Sequence, residues 1–166
     1  MPVETAIPRV TTAQLVVHFV HSIREVLETM AATSVTVSAP ALKADPASSY
    51  DVSCIIGFSG EFVGNMVLSM PIDLARTVVK AFAGADVPPT SPDFPDAVGE
   101  LANIIAGSAK KSFGGTASIT VPSVIIGKGH VIARLHDVPC LVIPCRTVAG
   151  EFAVEVSIKP MPAAAR

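Results

Sequence analysis

The chain has 166 residues, half of them apolar, with 12 basic side chains against 14 acidic ones and a formal net charge of −2. Residues 1–166 therefore suit a single domain with a substantial core, with flexible tails expected at 1–11 and 160–166. The charge balance leaves no basic footprint for nucleic acid, and no run of about 18 uncharged apolar residues is available to span a membrane.

Met1-Pro2-Val3-Glu4-Thr5 lacks the basic start and apolar stretch of a secretory signal, so a cytoplasmic location is expected. In that setting Cys54, Cys140 and Cys145 read as buried thiols and not as a disulfide framework.

From Thr12 to Met30, Leu15, Val16, Phe19, Ile23, Val26, Leu27 and Met30 recur at helical spacing, predicting a helix with one buried face. Ser34–Ser38 is β-branched and reads as a strand, and Pro40–Ser49, rich in small residues, as a loop. Asp51–Phe58 and Glu61–Met70, joined at Ser59-Gly60, read as a hairpin. Pro71-Ile72-Asp73 opens a second helix that Gly84 closes.

The linker Ala85–Pro92 carries Pro88, Pro89 and Pro92, cannot be helical, and delivers the chain to a third helix that Gly114-Gly115 ends. Strands follow near Ala117–Ile126, Pro139–Thr147 and Glu151–Lys159, the last two joined by a turn at Ala149-Gly150. In the final strand Phe152, Val154, Val156 and Ile158 alternate with Ala153, Glu155, Ser157 and Lys159, the pattern of an antiparallel sheet with one covered face. The fold class expected is α+β: two layers, an antiparallel-dominated sheet with about three helices packed on one face.

The third helix, Asp93–Lys111, is the most informative segment. At about 100° per residue it places Asp96, Glu100, Asn103, Gly107, Lys110 and Lys111 on one stripe and Phe94, Val98, Leu101, Ile104 and Ile105 on the other. A polar outer face ordinarily serves only solubility. Gly99 and Gly107 argue for more, because each glycine costs a helix interior roughly 0.5–1 kcal/mol relative to alanine. Missing side chains around Glu100 and Asn103 leave a recess into which another surface can come close.

These residues resemble the CheX/CheC family of chemotaxis phosphatases. That family's pattern is an Asp or Ser, three residues, a Glu, two residues, an Asn, and later a proline opening a strand; Asp96, Glu100, Asn103 and Pro122 fit it. The segment Val98–Gly107 is similar to the CheX branch in particular, which also has only one such helix, and Ile119–Gly127 is similar to the family's later segment.

The resemblance implies a hydrolase of two-component signalling, a phosphatase acting on the aspartyl-phosphate of a CheY-like response regulator. Asn103 would orient the hydrolytic water, and Glu100 would engage the receiver's lysine. Such a helper needs no nucleophile or cofactor of its own, since the receiver supplies Mg and a lysine around its phosphate. A carboxamide suits the water because its oxygen accepts a hydrogen bond without adding charge beside a metaphosphate-like centre.

Asp96 has two readings, a partner contact at the rim or a favourable charge near the helix N-terminus. Gly99, Gly107, Lys110 and Lys111 would line the partner-binding surface, although lysines in a last turn also serve the helix dipole. The family further implies a homodimer formed through the sheet, with Glu151–Lys159 or Pro139–Thr147 as candidate strands. The competing reading is a non-catalytic adaptor of the same fold that binds a receiver.

Other chemistry has little support. There is no Gly-x-Ser-x-Gly elbow and no His-Glu-x-x-His, and Gly127-Lys128-Gly129 is not a Walker loop. His18 and His21 lie one turn apart without a third metal ligand and read as surface histidines. His130 and His136 fall near strand ends and read as ordinary hydrogen-bonding residues. A thiol or metal enzyme built on Cys140, Cys145 and His136 is disfavoured, because cysteines five apart on a strand point to opposite faces.

Overall fold

The covered face of the sheet follows from the alternation of its strands. β3 (Val52–Gly60), β4 (Phe62–Met70) and β8 (Gly150–Pro160) turn Val52, Cys54, Ile56, Phe58, Met66, Leu68, Phe152, Val154, Val156 and Ile158 into one apolar core. The structure, a computed structural model, describes residues 10–43, 50–113, 116–134 and 137–162. The remaining elements are α1 (Thr12–Met30), β1 (Thr36–Val37), β2 (Ala41–Leu42), α2 (Ile72–Ala83), α3 (Asp93–Lys111), β5 (Ala117–Ile119), β6 (Ser123–Ile126) and β7 (Leu141–Thr147). The sheet has eight strands in the order β1-β7-β8-β4-β3-β5, with β2 pairing β7, β6 pairing β3, and every pairing antiparallel. With three helices against it, this is the α+β architecture the periodicities call for.

The helices begin and end where local chemistry puts them. Thr11 and Gln14 form a capping box at the start of α1, the Thr11 hydroxyl accepting from the Gln14 backbone and the Gln14 side chain from that of Thr11. α2 stops at Gly84. α3 carries Asp93 and Asp96 in its first turn and Lys110 and Lys111 in its last, both signs favourable to the helix dipole. Phe94 at one end is fully buried, and Phe113 just beyond the other packs 5.1 Å from Phe62 and 5.7 Å from Phe19. α3 is thus anchored in the core at both ends, as a site-bearing element must be.

Several expectations need correction. β1 is shorter than Ser34–Ser38, and β2 lies inside the segment read as the Pro40–Ser49 loop; residues 44–49 are outside the described residues, as are Gly114-Gly115 and His136. Ala117–Ile126 is not one strand but two, β5 and β6. β8 is paired on both sides, by β4 and β7, while β7 carries β1 and β2 along its outer side. Neither strand proposed for a dimer through the sheet therefore offers a free edge; the edges belong to β1–β2 and to β5–β6.

The reverse face of the sheet also differs from a solvated surface. Glu155 and Ser157, which alternate with the core residues of β8, are only 5% and 3% exposed. Residues following β6 reach Glu155 and Ser53 on this face. His130 reaches Ser53 on β3 at 2.8 Å, Ser53 meets Ser69 on β4 at 3.0 Å, and Glu155 pairs with both Arg134 and Lys43. Irregular chain and an ion cluster do here what helices do on the other side.

Candidate functional site

α3 shows the face its sequence marks as polar. Asp96, Glu100 and Lys111 are exposed, Asn103, Gly107 and Lys110 half-buried, whereas Phe94, Val98, Leu101 and Ile105 are buried and Ile104 packs against the core from its margin. Glu100 and Asn103 are three residues apart, which places their Cβ atoms about 5–6 Å from each other on one side of the helix. Among the described residues neither side chain has a hydrogen bond or ion pair within the chain. A carboxylate and a carboxamide are thus held side by side on a clamped helix with their bonding capacity unspent.

The two glycines beside this pair turn out to do different things. A Cβ on Gly107 would meet nothing within 4 Å, so this position is open as expected. Gly99 is buried: a Cβ there would lie 3.2 Å from Cβ of Pro122 and 3.7 Å from Val124 Cγ2. The surface that comes close at Gly99 is the chain's own, which removes Gly99 from the expected partner-binding set. Its role is to let the start of β6 lie against α3, one turn before Asn103. Side chains on a helix lean toward its N-terminus, so Asn103 stands over the turn that Pro122 walls. Pro122, distant in sequence, is thus brought against Gly99, the residue before Glu100.

The described histidines are engaged elsewhere. His18 packs its ring 6.3 Å from that of Phe113, His21 faces Glu25 at 3.8 Å, and His130 bridges Gly127 and Ser53. Cys145 belongs to the helical core while Cys140 lies on the reverse face near Glu155, so the two cysteines do point apart. Burial pushes the Cys54 and Cys145 thiols up to about 12, out of reach of thiolate chemistry at neutral pH. No helix among the described residues is long and apolar enough to cross a membrane. A shallow recess of about 340 Å³ on α2, lined by Asp73, Arg76, Thr77, Lys80 and Asp86, includes no residue of α3.

Fold and site together define a class: an α+β domain whose antiparallel sheet backs three helices, one of which presents an unpaired acid and amide to a visitor. The family model described as chemotaxis phosphatase CheX matches residues 52–146, more than half of the chain. A chemotaxis protein CheX from Desulfovibrio desulfuricans is 34% identical, with a TM-score of 0.80 over 89% of this chain and 99% of that one. A putative chemotaxis protein from Desulfovibrio vulgaris Hildenborough is 32% identical, with a TM-score of 0.79 over 90% and 99%. No curated protein matches the sequence. The chain belongs to the CheX family. The CheX–CheY–BeF3–Mg complex from Borrelia burgdorferi has the same fold at 22% identity, with a TM-score of 0.75 over 91% of this chain and 99% of that one.

Proposed function

We propose that this chain dephosphorylates the aspartyl-phosphate of a CheY-like response regulator by inserting Glu100 and Asn103 from α3 into the receiver's active site. One observation carries the reading: the two side chains that match the family's pattern are adjacent and unpaired on a helix anchored at both ends, Glu100 exposed and Asn103 half-buried. The existence of a solved CheX–CheY complex within the same fold supports the choice of partner.

The reaction asks little covalent chemistry of this chain. The oxygen of a water molecule bonds to phosphorus as the bond from phosphorus to the aspartyl oxygen breaks, yielding inorganic phosphate and a free carboxylate. Mg and a lysine, which the receiver brings, offset charge on the phosphoryl oxygens. Asn103 contributes position: its carboxamide oxygen accepts from the water and holds it in line, converting an encounter with bulk water into a directed one. Glu100 pairs with the receiver lysine, a charge-assisted contact that fixes register. Asp96 lies at the rim, one turn earlier, with Lys110 and Lys111 at the far end of the same stripe.

The test is to charge response regulators with acetyl phosphate, add the purified chain, and follow phosphate release. Accelerated release with at least one receiver is expected. Binding without acceleration would make the protein an adaptor.

A further inference from the structure

The break between β5 and β6 is a designed irregularity. Phe58 of β3 faces Ile119 of β5, and Ile55 of β3 faces Ser123 of β6. Between those pairs β3 supplies two residues, Ile56 and Gly57, whereas the opposite strand supplies three, Thr120, Val121 and Pro122. One residue is extra, which makes this a β-bulge on an edge of the sheet, a device that recurs beside active sites and re-aims a side chain.

The flanking residues are both tied down. The Thr120 backbone N–H donates to Gly57 O at 2.9 Å, and the Gly57 N–H donates to Thr120 Oγ1 at 2.8 Å. A Cβ on Gly57 would sit 2.9 Å from Thr120 Cγ2, so the threonine lies where only glycine admits it. Pro122 is seated on Gly99, the residue before Glu100. Between two anchored neighbours Val121 is released outward and is 84% exposed.

Resting on the receiver-directed reading above, we propose that Val121 is an apolar docking contact for the receiver, setting affinity and leaving the chemical step alone. The stripe from Asp96 to Lys111 offers polar and charged groups, whose attraction is largely offset by the cost of stripping their water. Protein interfaces draw affinity from a dry apolar contact with polar groups around it. The bulge places such a group one residue from the proline that touches the turn bearing Glu100.

The experiment compares V121D, V121I and a control, V148D, at the β7–β8 turn, where Val148 is fully exposed. Each is titrated with the acetyl-phosphate-charged receiver whose phosphate loss the parent accelerates. V121D is expected to raise KM about tenfold while kcat stays within about twofold, with no change in the unfolding midpoint. V121I and V148D should match the parent. A parental KM for V121D, or an equal rise with V148D, overturns the inference while the phosphatase reading stands. If the parent neither accelerates nor binds any receiver, that reading fails and takes Val121's role with it.

Discussion

Glu155 and Glu100 are both carboxylates on regular elements, yet the fold consumes one and leaves the other over. Glu155 on β8 is 5% exposed and neutralised by Lys43, at 2.5 Å, and by Arg134 from the segment behind the sheet. Glu100 on α3 is exposed and has no partner of its own among the described residues. The first is a structural clasp, because a buried charge is tolerated only when paired. The second is available to a visitor. Burial and partnership, not residue type, divide scaffold from site.

The comparison can be broken by mutation. Glu155→Ala removes the buried acid that Lys43 and Arg134 share and should cost about 3–5 kcal/mol of stability in denaturant unfolding. A loss below 1 kcal/mol would mean that the clasp holds nothing. Glu100→Ala should leave stability unchanged within about 0.5 kcal/mol and instead weaken receiver association by about 2–5 kcal/mol, read by calorimetric titration. An unfolding midpoint that drops as far as that of the Glu155 variant would erase the distinction.

The paired glycines sharpen the same contrast. Gly99→Val drives a branched side chain into Pro122 and should destabilise by about 1–3 kcal/mol, displacing Pro122 from α3 and slowing phosphate release as well. Gly107→Ala meets nothing and should stabilise α3 by about 0.5–1 kcal/mol in thermal melts, with any loss of activity attributable to the partner's approach. Stabilisation by both substitutions would refute the assignment of Gly99 to internal packing.

Much of this was legible from periodicity. α1 spans Thr12–Met30 as its apolar spacing requires, and the polar stripe of α3 reaches solvent with Glu100 and Asn103 adjacent. The reverse face was hidden for a physical reason. Alternation in β8 assigns Glu155 and Ser157 to the side away from the helices, which is right, but it says nothing about what covers them. The cover is irregular chain after β6, with no period to read. The bulge at Thr120–Pro122 adds a single residue to an otherwise continuous β-like run, so Ala117–Ile126 looks like one strand. Gly99 signalled a close approach correctly, yet a glycine cannot tell a foreign surface from Pro122, which is 23 positions further along the chain.

The most direct test of the central claim is the rate of phosphate release from a charged receiver with Asn103→Ala beside the parent protein. Loss of the water-orienting amide should remove about 10²–10³-fold of the acceleration while the variant still binds the receiver as the parent does. Release as fast with the variant as with the parent would show that the water is not held by Asn103, and the proposed mechanism would be wrong.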